Sequence, residues 1–136
     1  ARRIRRPGLG VIGYNPLAGG FLTGRYRSLE APPPGTRFSL GGATGTLYRQ
    51  RYWQQAQFEA VQKLEQTLKP RGRSLLQVAV AWVLAQPGIT SAIVGASKPE
   101  QLDESLAAVQ MKLEPDELEA CNLAWYSLPR QIAAAR

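Results

Sequence analysis

Residues 91–106, SAIVGASKPEQLDESL, predict a short strand that runs through a glycine into the start of a helix. The strand is the apolar stretch 92–94, and Gly95 ends it. Ser97 is expected to cap the helix, with a proline in the first turn and Glu100 completing a capping box. Because strands alternating with helices are typical of α/β proteins, this stretch predicts an α/β fold with a parallel sheet.

The junction between this strand and this helix is also a predicted anion site. Free backbone N–H groups and the positive end of the helix dipole both face a ligand at a helix N-terminus. Lys98 adds a positive side chain there, which is unfavourable to the helix dipole unless an anion is bound. Gln101 and Glu104 follow on the same helix, where they can face the same ligand or simply cover the helix surface. The pattern favours a phosphate group, and with it a nucleotide cofactor.

The composition of the 136 residues limits the class of protein. A content of 44% apolar and 20% charged residues is typical of a globular domain, and the sequence has no apolar run of about 18 residues that predicts a membrane span. The single cysteine permits no disulfide within the chain, which favours a reducing, cytoplasmic location. The sequence contains no histidine, so we expect no zinc site of the usual kind and assign no metal ligand.

The net charge of +7 includes a basic arm at residues 1–7, ARRIRRP. Such an arm can bind nucleic acid or an acidic surface, or it can be a solvated chain terminus. Because the sequence contains no recognisable nucleic-acid-binding module, we expect no nucleic-acid partner. The positive balance elsewhere suits an anionic cofactor.

The remaining segments alternate between strand and helix patterns. Residues 9–14 predict a buried strand, and the glycine-rich residues 17–24 predict a turn or an irregular helix. A long loop is expected over 27–46, a length typical of a lid or a disordered stretch. Four helical patterns then follow, namely an apolar stripe that ends at Leu68, the almost wholly apolar LLQVAVAWVLA from residue 75, a helix from 98 to about 109, and a last helix from Pro115.

The number of strands is too small for a finished sheet. Only two strands are recognisable, and a parallel pair leaves its edges open. We therefore expect residues 1–136 to form a single partial domain of a larger architecture. Open edges and uncovered apolar surface also predict self-association or pairing with a complementing N-terminal half.

Two kinds of side chain have alternative interpretations at this point. Tyr14, at the carboxyl end of the first strand, could stack on a flat cofactor ring or could be a core aromatic residue. Arg49 and Arg51 in YRQRYW could hold a carboxylate with paired N–H donors, or could lie on a solvated helix face.

Two stretches together resemble the aldo-keto reductase family, YNPLAGGFLTGRY at 14–26 and IVGASKPEQLDESLAA at 93–108. Members of this family are NADP(H)-dependent (β/α)8 barrels that reduce aldehydes and ketones. YRQRYW at 48–53 is more similar to the aflatoxin-aldehyde/succinic-semialdehyde reductase branch than to others. The resemblance covers about residues 8–128 and implies the C-terminal portion of a (β/α)8 TIM barrel, strands seven and eight with their helices. The barrel is therefore expected to be incomplete in this chain.

The resemblance implies a role for individual residues. Tyr14 is expected to stack on the nicotinamide ring, the loop after it to wrap the pyrophosphate, and the segment from Gly95 to Lys98 to hold the 2′-phosphate and ribose. The cofactor-binding residues implied for NADP(H) are Tyr14, Asn15, Leu17, Gly19, Leu22, Gly95, Ser97, Lys98, Gln101, Glu104 and Ser105. Position 105 is usually asparagine in the family and is serine here. Arg49 corresponds to an arginine that is expected to bind an acidic substrate.

The implied activity is the NADPH-dependent reduction of an aldehyde or ketone by a parent enzyme, to which this chain supplies cofactor-binding loops. The family's catalytic tyrosine, lysine, aspartate and histidine lie in the first half of the barrel. No catalytic residue is therefore assigned here, and the chain alone is expected to be inactive. The alternative is a non-catalytic NADPH-binding or protein-interaction subunit, as in the potassium-channel β subunits that resemble this family.

Overall fold

The computed structural model describes residues 9–129, and the basic arm predicted at 1–7 lies outside this range. The strands are β1 (Ile12–Tyr14) and β2 (Ser91–Ile93), and the α-helices are α1 (Gly42–Tyr52), α2 (Gln55–Leu68), α3 (Leu75–Ala85), α4 (Pro99–Ala107) and α5 (Pro115–Ser127). Short 3₁₀ segments occupy Ala18–Thr23, Lys69–Arg71 and Ala108–Gln110. None of these helices is long and apolar enough to cross a membrane.

Both predicted strands form, and they pair in parallel. The prediction of a buried strand over 9–14 is wrong in its extent and its burial, because only Ile12–Tyr14 is a strand and both of these end residues are exposed within the described part of the chain. The register places Tyr14 of β1 opposite Ile93 of β2. Both strands therefore end at the same edge of the sheet, and the segments that follow them start side by side. The order of strands and helices confirms the predicted α/β class, although each strand is only three residues long.

The core forms around α2 and α3, as their apolar patterns predict. The stripe on α2 is buried at each of its positions, and Gly72, with φ of 62°, ends the 3₁₀ turn that follows. α3 buries residues on several sides because almost none of its side chains is polar. Burying one large aliphatic or aromatic side chain contributes about 1.5–3 kcal/mol, so these two helices supply much of the folding free energy.

The long loop is shorter than the sequence predicts. The prediction of a loop over 27–46 is wrong at its end, because α1 already begins at Gly42. Gly45, in the first turn of α1, permits the backbone of Leu40 to pack closely, since a Cβ at this position would lie 1.7 Å from the Leu40 carbonyl oxygen. The loop itself is anchored by Phe38, which is fully buried with its ring centroid 4.9 Å from that of Trp53.

A buried carboxylate fixes the last helix. Glu117 of α5 is fully buried, and its Oε1 atom accepts a hydrogen bond from Nε of Arg73 at 3.0 Å. The other oxygen accepts from the backbone N–H of Glu114, which completes a capping box at the start of α5. Because a buried charge is costly unless it is paired, this contact ties α5 to the segment before α3.

One face of the two-stranded sheet remains uncovered within residues 9–129. The side chains of Ile12 and Ile93 are 62% and 59% exposed. Apolar strand residues are normally buried against a neighbouring layer, so this face is suited to contact further structure.

Candidate functional site

The parallel register brings together the two segments that resemble cofactor-binding loops. The chain leaves β1 at Tyr14 and leaves β2 at Ile93, and these two residues are opposite each other. An open cleft with a volume of about 770 Å³ lies at this edge. It contains nine of the eleven predicted cofactor-binding residues, namely Tyr14, Asn15, Leu17, Gly19, Gly95, Ser97, Gln101, Glu104 and Ser105. Leu22 and Lys98 do not line it.

The loop after β1 is held by the side chain of Asn15. This residue has a left-handed backbone with φ of 58°, a conformation that asparagine tolerates better than most residues. Its Oδ1 atom accepts a hydrogen bond from the backbone N–H of Gly19 at 2.7 Å, and its Nδ2 atom donates to the Tyr52 hydroxyl at 3.3 Å. Burial raises the pKa of the Tyr52 phenol above its ordinary value. The two hydrogen bonds of Asn15 thus stabilise the conformation of this loop.

Gly19 cannot be replaced without strain in this loop. Its φ is 72°, and a Cβ would lie 2.6 Å from Cε1 of Tyr48. The tyrosine ring therefore packs directly over the glycine backbone. Leu22, further along the same loop, is partly buried against the core.

Tyr14 extends from the end of β1 with its ring largely free. Its side chain is 76% exposed, so the ring is not a core aromatic within the residues that the structure describes. A flat, accessible ring at the edge of a cleft is suited to stack on a planar ligand.

The helix start after β2 differs from the prediction. α4 begins at Pro99 with Lys98 as its N-cap residue, so the predicted capping box of Ser97 and Glu100 does not form. Instead, the Oε1 atom of Gln101 accepts from the backbone N–H of Ser97 at 2.9 Å and from its hydroxyl at 3.1 Å. The Gln101 side chain therefore accepts the two Ser97 hydrogen bonds that a phosphate oxygen could also accept.

Gly95 leaves open space beside this turn. A Cβ built at Gly95 meets no atom within 4 Å, and its backbone φ is not in the left-handed region. Neither the backbone conformation nor the packing against described residues requires glycine here. The missing side chain instead leaves room for a ligand to approach the backbone.

Glu104 and Ser105 lie deeper along α4. The Oε1 atom of Glu104 accepts a hydrogen bond from the hydroxyl of Ser74 at 2.8 Å, which joins α4 to the start of α3. Ser105 is buried, and its hydroxyl donates to the carbonyl of Gln101 at 3.0 Å. The Ser105 hydroxyl is thus used within the helix. Glu104 lines the cleft, and its Oε2 atom makes no hydrogen bond among residues 9–129.

The cleft contains two cationic side chains that the sequence patterns did not identify. Arg25 and Arg37 both line it. Arg37 donates to the Tyr48 hydroxyl at 3.0 Å and lies 5.7 Å from the centroid of that ring. Lys98 is exposed at the rim and forms no ion pair within residues 9–129. Arg25 lies within the glycine-rich motif, but the motif gives it no binding role. Arg37 lies in the long loop, which no motif covers.

Arg49 lies away from this cleft. Its Nη1 atom donates to the backbone carbonyls of Phe38 and Leu40 at 2.7 and 3.4 Å, so the guanidinium anchors the long loop. Its Nη2 atom donates to the Thr46 hydroxyl at 3.4 Å. Among the described residues, the half-buried Arg49 keeps the Nε N–H and one N–H of Nη2 for a carboxylate ligand. Arg51 does not line the cleft either.

Taken together, the cleft presents an exposed aromatic ring, an open glycine backbone, a helix N-terminus and three cations in or beside it. Such a set can bind an extended anionic ligand that has a flat ring at one end. The described residues of the cleft include no pair of side chains arranged for nucleophilic or acid–base chemistry. Binding of such a ligand is a chemistry that these residues support.

Comparisons with known proteins agree with the motifs. The chain is 37% identical over 134 residues to aflatoxin B1 aldehyde reductase member 2 of Rattus norvegicus, over 90% of the chain and 36% of the relative. It is 32% identical to L-glyceraldehyde 3-phosphate reductase of Escherichia coli strain K12, over 78% of the chain and 30% of the relative. It is 33% identical to a putative voltage-gated potassium channel subunit beta of Schizosaccharomyces pombe, over 95% of the chain and 38% of the relative.

The chain covers only part of the length of each relative. The chain spans between 30% and 38% of the length of these three proteins. The sequence model of the Aldo/keto reductase family matches residues 2–125. Since this match covers most of the sequence, the resemblance inferred from the motifs is confirmed, and the chain belongs to the aldo/keto reductase family.

Proposed function

We propose that the chain binds NADP(H) in the cleft at the carboxyl edge of its sheet, as part of an NADPH-dependent aldo-keto reductase. The observation that carries this proposal is the convergence of two motif-bearing loops on one cleft, although they are about 80 residues apart in the sequence. Parallel strands of a barrel place their binding loops at this same edge.

The cleft residues fit a dinucleotide from one end to the other. Tyr14 would stack on the nicotinamide, and the loop that carries Asn15, Leu17, Gly19 and Leu22 would wrap the pyrophosphate. Gly95, Ser97 and Lys98 would hold the ribose and its 2′-phosphate, with Gln101, Glu104 and Ser105 toward the adenine. The open space at Gly95 supports this arrangement, because a side chain there would fill the position proposed for the ribose-phosphate.

Electrostatics favour the phosphorylated form of the cofactor. Arg25 and Arg37 place positive charge in the cleft, and Lys98 adds a further cation near the turn proposed for the 2′-phosphate. Charge-assisted hydrogen bonds to phosphate are about twice as strong as neutral ones. We therefore expect the chain to prefer NADPH to NADH.

In the whole enzyme, the bound nicotinamide would supply a hydride to the carbonyl carbon of an aldehyde or ketone. The proton donor would come from the first half of the barrel, so this chain contributes no catalytic residue and has no reductase activity alone. Arg49 remains the candidate for an acidic substrate, and it would act through Nε and the second N–H of Nη2, since its Nη1 atom is bonded to the long loop. We place the protein in the cytoplasm, with no nucleic-acid or membrane partner.

The chain would supply strands seven and eight of the (β/α)8 barrel. The exposed Ile12 and Ile93 support this placement, because the missing strands would cover them. Without those strands, the open face would favour self-association or pairing with a complementing half. Light scattering tests this point, and a monomer at high concentration would contradict it.

A non-catalytic NADPH-binding or protein-interaction subunit is the second candidate function. The similarity to the potassium channel subunit beta of Schizosaccharomyces pombe favours it. The two candidates share the cleft and differ in whether the whole protein turns over a carbonyl substrate. A whole protein that oxidises NADPH with 4-nitrobenzaldehyde would support the reductase and exclude the non-catalytic subunit.

Calorimetric titration of the chain with NADPH, NADH and a short DNA duplex tests the proposal. We expect NADPH to bind more tightly than NADH, and the duplex to bind only weakly at physiological salt. Binding of the duplex without binding of either nucleotide would contradict the proposed function.

A further inference from the structure

We propose that the outer groove between α2 and α5 is the contact surface for a second copy of this chain, and that Leu123 of each copy enters the groove of the other. None of the residues that line this groove lines the cofactor cleft, so the inference does not depend on nucleotide binding. The groove is also separate from the open sheet face formed by Ile12 and Ile93.

The groove lies between two antiparallel helices. Nη2 of Arg71, directly after α2, lies 2.7 Å from Oδ2 of Asp116 in the first turn of α5, so the end of α2 meets the start of α5. The groove has a volume of about 320 Å³. Each wall has residues at spacings of three and four, which is typical of a helix face that packs against other helices. On α5 these residues run from Ala120 to Ser127, and on α2 from Ala60 to Thr67.

The hydroxyl groups in the walls are already hydrogen bonded within their own helices. The Thr67 hydroxyl donates to the backbone carbonyl of Lys63 at 3.4 Å, and the Ser127 hydroxyl donates to that of Ala124 at 3.2 Å. Each hydroxyl has only one proton, so neither can donate to an outside partner without losing this bond. The groove therefore suits an apolar side chain better than a polar ligand.

Leu123 supplies an apolar side chain at the same surface. It lines the groove from α5 and is 64% exposed. Tyr126, three residues further along the helix and also exposed, extends this apolar surface. Because one surface carries both a projecting leucine and an apolar groove, it is complementary to itself. Such surfaces pair across a two-fold axis, where each copy contacts the other with the same residues.

The charges at the rim of the groove fit the same arrangement. Lys63 lines the groove from α2, and Glu119 lies one turn before Leu123 on α5. Both are exposed, and neither forms an ion pair within residues 9–129. When α2 of one copy lies over α5 of the other, each Lys63 faces the partner's Glu119. The four helices then surround one apolar seam, as in a four-helix bundle.

Analytical ultracentrifugation of the full chain over a range of concentrations tests the contact. The parent chain is expected to dimerise. Leu123→Ser should raise the dissociation constant of the dimer at least about tenfold, because a large apolar side chain leaves the interface in both copies. Leu29→Ser is the matched control, since Leu29 is also exposed but does not line the groove, and it should change the constant by less than about twofold.

Reversal of the charges tests the ion pairs. Lys63→Glu and Glu119→Lys should each weaken the dimer, because each places like charges across the interface. The double variant restores the opposite signs and should return the dissociation constant to within about threefold of the parent value. If the two losses add in the double variant, the proposed pairing is wrong.

A carbodiimide cross-link, which joins an amine directly to a carboxylate, locates the contact between Lys63 and Glu119. In a mixture of isotopically light and heavy chains, the proposal predicts cross-linked pairs of one light and one heavy peptide. Pairs of a single isotope only would assign the groove to a segment of the same chain and overturn the proposal. A parent chain that stays monomeric, or whose association is unchanged in Leu123→Ser, would also overturn it, and neither result affects the proposed binding of NADPH.

Discussion

Substitution of Gly95 by alanine should separate folding from nucleotide binding. A Cβ at this position meets no atom within 4 Å, and the backbone φ is one that alanine adopts without strain. Alanine also restricts the unfolded chain more than glycine does. We therefore expect the free energy of unfolding to be unchanged or raised by up to about 1 kcal/mol.

The expected effect on NADPH binding is opposite in sign. If the ribose-phosphate lies against Gly95, the added methyl group occupies space that the ligand needs. Insertion of a methyl group into a well-packed contact costs about 1–3 kcal/mol. Since about 1.4 kcal/mol corresponds to a tenfold change in affinity, the dissociation constant should rise about 5- to 150-fold.

Urea denaturation and NADPH titration on the same preparation measure the two effects. Gly41→Ala is the matched control, because a Cβ at Gly41 also meets no atom within 4 Å and the residue does not line the cleft. Its affinity for NADPH should stay within about twofold of the parent value. A Gly95→Ala chain that binds NADPH as tightly as the parent would refute the placement of the ribose-phosphate.

Three further predictions concern the loops and the core. Gly19→Ala should lower the free energy of unfolding by about 2–4 kcal/mol in urea, because φ is 72° and the new Cβ would lie 2.6 Å from the Tyr48 ring. Gly20→Ala, with positive φ but no neighbour within 4 Å, should cost only about 1–2 kcal/mol. Lys98→Glu should weaken NADPH about tenfold or more in calorimetry and leave NADH within about threefold. Burial raises the pKa of the Cys121 thiol from 9.0 to about 11. The stability that the neutral thiol contributes is therefore complete below pH 9 and is lost between pH 9 and about 11, which urea unfolding at each pH measures. Cys121→Ala should remove this part of the pH dependence.

Each of these predictions has an outcome that contradicts it. Equal unfolding costs for Gly19→Ala and Gly20→Ala would show that the Tyr48 ring moves aside freely. Equal losses for NADPH and NADH in Lys98→Glu would show that this lysine does not bind the 2′-phosphate. Identical pH profiles for the parent and Cys121→Ala would show that the thiol ionises equally easily in the folded and unfolded states.

Local patterns were sufficient to predict most of the fold. The apolar stripe that ends at Leu68 and the almost wholly apolar α3 gave two helices with their buried faces, since these signals depend only on spacing along the chain. The strands at 9–14 and 91–94 were found for the same reason. The parallel register of these strands then places Tyr14 opposite Ile93, two residues before Gly95.

Features that depend on tertiary contacts were not predictable. α1 has two glycines and no apolar stripe, so the sequence pattern assigns its first turn to the loop. Gly45 allows the Leu40 backbone to pack closely against this turn, a contact that only the fold reveals. The capping box at Ser97 failed because Gln101, one turn further on, takes over its donors. The burial of Glu117 was hidden because its partner Arg73 lies 44 residues earlier in the chain.

The sequence predicted the loops that line the cleft, but it did not predict two of the positive side chains there. Nine of the predicted residues line one cleft because their motifs follow two paired strands. Arg25, at the end of the glycine-rich segment, and Arg37, in the long loop, line the same cleft, and no sequence periodicity describes either segment. The substrate role of Arg49 came from the resemblance alone, whereas its hydrogen bond to the carbonyl of Phe38 depends on the fold of the long loop.

A crystal structure of the chain with NADP⁺ tests the central claim most directly. We predict that the 2′-phosphate lies within hydrogen-bond distance of Ser97 and Lys98, with Gln101 displaced from the Ser97 donors and the nicotinamide ring over Tyr14. Nucleotide bound outside the cleft, with the Gln101 contacts to Ser97 intact, would contradict the account.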